Sequence, residues 1–314
     1  MLIADAHCDS MLDVIRGNRH LNKASSKGHI DFPRLKQAGI RIQVFALFIE
    51  SLYKPIGSLR RALQMISAFY DEIEAYQGVN QIINLTDLDY VLDKQETIGV
   101  ILGIEGGEVL EGEIRVLDCL YRLGVRTLGL TWNQRNHIAD GVGERHTKGG
   151  LTSFGIEVVK KMNELGMLID LAHISENGFW DVINLSCKPV IVSHANSQKI
   201  FQHPRNLSDQ QIIALHQAKG LMGITYAPEY VGEQPCMDSL VKHIDYICQL
   251  TGSADVICLG SDFDGANPMI PGLEDVTKVP IIIEKLVRRD YKEKDIRKIM
   301  GENLVQILKA NFRK

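Results

Sequence analysis

The stretch MLIADAHCDS, residues 1–10, sets a short apolar run, Leu2-Ile3-Ala4, just before His7, Cys8 and Asp9. A strand that ends in imidazole and carboxylate suits the mouth of a parallel barrel, because the chemistry of such folds sits at the C-terminal ends of the strands. Side-chain alternation places His7 and Asp9 on one face and Cys8 on the other. Cys8 is therefore expected to pack outward against helices, not to act as a nucleophile. Whether this short run belongs to a barrel depends on whether the pattern repeats.

It repeats along the whole chain. Candidate strands are LIADA (2–6), IQVFALF (42–48), GVILGI (99–104), TLGLT (127–131), MLIDLA (167–172), VIVS (190–193), LMGIT (221–225) and VICLG (256–260). Between them lie amphipathic patterns such as SLRRALQMISAFYDEIEAY, FGIEVVKKMNELG and MDSLVKHIDYICQLTG, with apolar residues at three- and four-residue spacing. The helix over 154–165 is expected to stop at Gly166, and the last pattern, 293–312, reads as a terminal outer helix. Eight alternations with no composition break predict an α/β fold, a (β/α)8 TIM barrel of the metal-dependent hydrolase type, with residues 1–314 as a single catalytic domain.

Composition narrows the chemistry. The chain is 45% hydrophobic and 24% charged, with a formal charge of −4 and scattered basic residues. There is no electrostatic footprint for nucleic acid or an anionic membrane, so a small-molecule substrate is expected. No run of about 18 apolar residues occurs, and the first strand begins too early for a secretory leader, which predicts a cytoplasmic protein. Six cysteines without a C-x-x-C pair read as mostly buried thiols.

The residues following the strands are unusually consistent. Strand one ends in His7-Cys8-Asp9, strand three in Glu105-Gly106-Gly107, strand five in His173, strand six in Ser193-His194 and strand eight in Ser261-Asp262-Phe263-Asp264. Strand four runs into Trp132-Asn133 and strand seven into Tyr226, a candidate pocket residue. Three histidines and three carboxylates would then meet in one mouth. Imidazole and carboxylate suit Zn²⁺ or a similar divalent ion, and Glu105 could bridge two of them. Two ions roughly 3.5–4 Å apart can hold a bridging hydroxide and polarise a carbonyl.

Each feature has a plainer reading. A strand-end histidine is more often a hydrogen-bonded structural residue, and S-D-F-D-G can be a simple turn, with Asp264 capping it before Gly265. Repetition on successive strand ends outweighs these readings taken singly. GIEGGE lacks the spacing of a nucleotide-binding loop.

The ordered set DAHCDS, GIEGGE, LTWNQRNHIADG, GLTSFGIEVVKKMNELGMLIDLAHIS, PVIVSHANS, PRNLSD, GSDFDG, GLEDV and GENL resembles the membrane (renal) dipeptidase family, zinc dipeptidases of the amidohydrolase superfamily. The resemblance runs through essentially the whole chain. It implies that His7 and Asp9 hold one zinc, that His173 and His194 hold a second, and that Glu105 bridges them. It further implies Asp262 as the acid/base carboxylate and Arg205 as the group that grips the substrate's terminal carboxylate, in a bidentate way that lysine cannot copy. The expected reaction is hydrolysis of free dipeptides, L-D dipeptides included.

One departure stands out. Mammalian members carry a substrate-binding histidine in an L-T-H context where this chain has Leu130-Thr131-Trp132. The indole of Trp132 can donate one hydrogen bond, and His137 is the nearby candidate substitute. No anchor or leader like those of the mammalian proteins is expected, and the expectation is a bacterial-type cytoplasmic member. A homodimer is expected from the resemblance alone. The alternatives are another amidohydrolase reaction, such as N-acyl amino acid hydrolysis, and a noncatalytic metal-binding barrel.

Overall fold

A computed structural model describes residues 1–314. Its strands are β1 (Ile3–Asp5), β2 (Ile40–Phe48), β3 (Val79–Gln81), β4 (Ile98–Glu105), β5 (Val125–Gly129), β6 (Leu168–Asp170), β7 (Ile191–Ala195), β8 (Leu221–Ile224) and β9 (Ile257–Leu259). They lie in the order β2-β1-β9-β8-β7-β6-β5-β4-β3, and a parallel β2–β4 pairing closes eight of them into a barrel with helices between. The expected (β/α)8 fold is present. β3 is an addition: it pairs with Ile98–Val100 at the lower end of β4, whereas β5 pairs from Leu102 upward. With only Val-Asn-Gln and no buried face, it carries no apolar run by which to notice it.

The helices form where apolar spacing and caps agree. Ser58–Glu74 buries Ala62, Met65, Ile66 and Phe69, one stripe at three- and four-residue spacing. Ser153–Leu165 starts at Thr152, whose side chain accepts from the Gly155 N–H, and stops at Gly166 with φ 77°, as anticipated. These helices cover a large apolar cluster that includes Phe45, Leu47, Val100, Leu102 and Ile104 on the outward faces of β2 and β4. No helix is long and apolar enough to cross a membrane.

A second cluster joins Ala4, Ile42, Ile101, Leu168, Ile191, Leu221 and Cys258, from seven strands, to Leu304, Ile307, Leu308 and Phe312. The terminal helix, Asn303–Asn311, is thus not an outer helix. It closes the bottom of the barrel: the Arg313 carbonyl accepts from Leu85 N–H, and Asn311 Nδ2 donates to the Pro189 carbonyl at 3.0 Å. Its amphipathic pattern is the same in either position, so periodicity could not separate them. Each such buried side chain stabilises by about 1.5–3 kcal/mol, which holds this nine-residue helix better than its own propensity would.

β1 ends at Asp5 and the chain bends at Ala6. Strict alternation would put Ile3 and Cys8 on opposite faces, yet both belong to the large outer cluster. Cys8 packs outward as expected, with its thiol donating to the Val44 carbonyl at 3.4 Å. The bend, not continued alternation, turns His7 and Asp9 into the mouth.

Candidate active site

Two aspartates, each the last residue of its strand, set the backbone of the site. Asp5 accepts from the His7 N–H at 3.0 Å, from the Ser261 N–H at 3.1 Å and from Gln43 Nε2 at 3.2 Å, tying the end of β1 to β2 and to the segment after β9. Asp170 accepts from the N–H groups of Ala172 and Ser193, both at 2.9 Å, so one carboxylate braces the approaches to His173 and His194. Both are fully buried, and burial raises their pKa values against the lowering effect of these hydrogen bonds. Short polar side chains that bond backbone two residues on turn a chain sharply. Beyond these turns His173 and Asp262 adopt φ values of 67° and 63°. Non-glycine residues pay on the order of 1–3 kcal/mol for such a backbone, and strain of this kind clusters at functional sites.

The side chains these turns deliver converge. His173 Nε2 lies 2.8 Å from His194 Nε2 and 2.8 Å from Glu105 Oε1, and His194 Nε2 lies 3.6 Å from the same oxygen. His173 Nδ1 meets Asn133 Oδ1 at 2.7 Å, and His194 Nδ1 meets Ser193 Oγ at 2.8 Å. An amide oxygen only accepts, so this network assigns the His173 proton to Nδ1 and leaves a lone pair on Nε2. On the other side, His7 Nε2 is 3.3 Å from Asp9 Oδ2 and 3.9 Å from both Glu105 Oε2 and Asp262 Oδ1. His7 Nε2 and Asp9 Oδ1 are buried without a hydrogen-bond partner. Gly265 is required here, because a Cβ on it would come within 2.3 Å of both Asp9 Oδ2 and Asp262 Oδ1.

Such a cluster is poorly satisfied by protons alone. Burial penalises charge on His7, yet Asp9, Glu105 and Asp262 together outweigh it and push its pKa up to about 10. Burial would raise Glu105, but His173, His7 and Arg205 carry it down to about 2. Burial, reinforced by Arg205, takes His173 down to about 4. His194 is pushed well below its usual value by burial and then by His7. Asp9 and Asp262 go up, first through burial and then through Glu105 and Asp9 respectively. Three buried carboxylates, three imidazoles with nitrogens aimed inward and two orphaned atoms fit divalent cations. Two groups of ligand atoms, His7 with Glu105 and His194, and His7 with Asp9 and Asp262, are close enough to hold an ion.

Above these atoms is a cavity of about 220 Å³ lined by Asp9, Glu105, His173, His194 and Asp262, with Trp132, Phe48, Leu12, Tyr230 and Glu229 as its walls. Trp132 packs against Phe48 and His173, with ring centroids 5.1 and 6.0 Å apart, and Lys54 Nζ sits 5.1 Å from its centroid. Arg205 is buried beside the ligands: its Nη2 donates to the His194 carbonyl at 3.1 Å, its guanidinium lies 5.6 Å from the Tyr230 ring, and its Nε has no partner. It lines an adjoining cavity of about 380 Å³ that His173 also borders.

Three expectations are corrected. Tyr226 is fully buried below the mouth, packed edge-on to Phe263, and Tyr230 is the tyrosine that faces the cavity. His137 is exposed and lines neither cavity; its loop turns outward, with its carbonyl accepting from Thr152. Asp264 does more than cap a turn: it bonds Ser10, accepts from Arg19 Nη2 at 2.5 Å and from the His29 N–H at 2.6 Å, anchoring the long loop after the first strand. Sequence reasoning assigned no part to Asp5, Asp170, Tyr230 or Glu229. For the first two the signal was present, an aspartate closing each strand two or three residues before a histidine.

The family model for membrane dipeptidases, peptidase family M19, matches residues 1–313. The chain is 33% identical over 227 residues to an uncharacterised protein from the pqqA 5′ region of Klebsiella pneumoniae, covering 69% of this chain and 83% of that one. It is 34% identical over 217 residues to an uncharacterised dipeptidase of Schizosaccharomyces pombe, covering 68% of this chain and only 53%, about half, of that one. Among solved structures, dipeptidase AC, a metallopeptidase of the same family, superposes with a TM-score of 0.92 at 25% identity, covering 100% of this chain and 99% of that one. A Rhodobacter sphaeroides metallopeptidase liganded with a phosphinate mimic of L-Ala-D-Ala superposes with a TM-score of 0.91 at 24% identity over 99% of each chain.

Proposed function

Since this chain belongs to the membrane dipeptidase family, peptidase family M19, we propose that it hydrolyses the peptide bond of free dipeptides at a binuclear zinc site, residues 1–314 acting as one catalytic domain. The observation that carries this reading is the convergence of His7, Asp9, Glu105, His173 and His194 in one buried mouth, with inward nitrogens and orphaned atoms beside Asp262 and Arg205. His7 and Asp9 would hold one ion, His173 and His194 the other, and Glu105 would bridge them. Zinc bound there would polarise the scissile carbonyl and acidify the attacking water to near neutrality.

The chain's own side chains do the rest. Asp262, whose carboxyl is held above its ordinary range by burial and by Asp9, would take the proton from the attacking water and deliver it to the leaving nitrogen. Arg205, with an unpaired Nε and a place in the adjoining cavity that His173 also borders, would grip the terminal carboxylate, limiting substrates to two residues. Trp132 and Phe48 would wall the substrate on the opposite side and exclude water. The phosphinate mimic bound by the Rhodobacter protein supports including L-D dipeptides among the substrates. The same reading includes a homodimer, on family resemblance, and the cytoplasmic location expected from the sequence.

The test is amine release from L-L and L-D dipeptides, tripeptides and N-acetylated dipeptides, with metal-stripped and zinc-reloaded protein. Cleavage of free dipeptides alone, restored by zinc, is expected. Turnover of N-acylated compounds, or none on any peptide despite zinc uptake, would overturn the dipeptidase reading.

A further inference from the structure

Resting on the dipeptidase reading, we propose that Glu229 is a specificity-determining residue that selects dipeptides bearing a cationic side chain. Glu229 lines the same cavity as the ligand side chains. It belongs to neither group of atoms close enough to share an ion. Its carboxylate is exposed to the cavity mouth, and no Lys, Arg or His nitrogen lies within 4.0 Å of it. The other carboxylates of the cavity, Asp9, Glu105 and Asp262, are buried and engaged with His7 or His173. Glu229 is thus the negative charge in this cavity left for a substrate to neutralise.

The backbone that presents it is held in place. Glu229 lies in the short segment Pro228–Val231 that follows β8. Asn206 Nδ2 donates to the Tyr230 carbonyl at 2.9 Å, and Asn196 Nδ2 donates to the same carbonyl at 3.3 Å and to the Thr225 carbonyl at 3.0 Å. His243 Nε2 donates to the Val231 carbonyl at 2.9 Å, while its Nδ1 accepts from the Ser197 N–H. Asn196 and Ser197 follow closely on His194, so the segment is tied to the ligand-bearing strand itself. A backbone fixed this way spares the cost of ordering the segment, so that only the side-chain freedom of Glu229 is lost when it pairs with a substrate. An ammonium or guanidinium is the matching group, and a carboxylate-bearing substrate side chain would be repelled.

The experiment compares kcat/KM of the zinc-loaded protein on Ala-Ala, Ala-Lys, Lys-Ala, Ala-Glu and Glu-Ala, in the parent chain, Glu229→Gln and Glu229→Lys. The parent is expected to favour lysine at one of the two positions over Ala-Ala by roughly tenfold, the scale of one charge-assisted contact. Glu229→Gln should bring that ratio near one, and Glu229→Lys should invert it toward the glutamate-containing peptides. Ratios that stay the same in both variants overturn the inference. Hydrolysis of dipeptides without any charge preference sinks this proposal alone, whereas no hydrolysis of any dipeptide removes the dipeptidase reading as well.

Discussion

The two sides of the barrel mouth share Glu105 and otherwise differ. On the His173/His194 side each imidazole is oriented by its own partner, Asn133 at 2.7 Å and Ser193 at 2.8 Å. Burial keeps both rings neutral, the form that binds metal. On the His7/Asp9 side the imidazole has only a loose contact, Ser193 Oγ at 3.4 Å from Nδ1, and its carboxylate neighbours draw a proton onto it. With two ions bound as proposed, one side would be prepared before its ion arrives and the other would have to give up a proton first. A symmetrical ligand count would then conceal two unequal sites.

The largest expected effect removes what the sides share. Glu105→Ala removes the proposed bridging ligand, and activity should fall to that of the metal-stripped protein, with zinc content per chain measured by elemental analysis dropping on both sides together. If one full equivalent of tightly held zinc remained, the shared role of Glu105 would be lost. Next comes Asp262→Asn, which should lower kcat by about 10²–10⁴-fold, the usual contribution of a positioned acid/base. Zinc content should stay near the parent's, since the five proposed ligands are untouched. A comparable loss of zinc would make Asp262 a ligand, as its 3.9 Å approach to His7 Nε2 allows.

The outer partners test the asymmetry directly. Loss of a residue that orients a metal-binding histidine costs about 10–100-fold in affinity or activity. Asn133→Ala touches only His173, so one zinc should be weakened and the other kept. Ser193→Ala touches His194 closely and His7 loosely, so it should weaken both, the His194 side more. Competition with a zinc chelator reads the two affinities separately. Equal weakening of both ions by Asn133→Ala would mean that the sides are coupled and not distinct.

Much of this was legible in the sequence because barrel chemistry follows directly on apolar runs. His7, Asp9, Glu105, His173, His194 and Asp262 all stand just after one, and the structure brings them together. Less legible was whatever depended on the path of a loop. Tyr226 stands at a strand end, yet its side chain turns into the core, and the cavity takes Tyr230 from the segment beyond. His137 and Trp132 share one loop, but only Trp132 faces the site. Periodicity could show that 293–312 is amphipathic but not that Leu304, Ile307, Leu308 and Phe312 meet the inside of the barrel while Ile296, Ile299 and Met300 join the outer cluster. Arg205, in a loop with no periodicity, was identified only through resemblance, and what sets it apart physically is burial beside His194.

The smallest effect, and the sharpest test of inequality, is in the pH dependence of zinc binding to the stripped protein. At neutral pH, Glu105 with a pKa of about 2 is ionised and His173 at about 4 is neutral, so an ion entering on their side displaces no proton. His7 at about 10 is charged, and its proton must leave before Nε2 can bind an ion. Affinity on the His7 side should therefore fall by about tenfold for each unit the pH drops below that value, while the His173 side changes little between pH 6 and 8. Calorimetric titration in buffers of different ionisation enthalpy counts the protons: at least one released by the His7-side ion, none by the other. Two ions with the same pH slope and the same proton count would mean that the halves are equivalent, and the asymmetry drawn from Asn133, Ser193 and the carboxylates around His7 would have no consequence for binding.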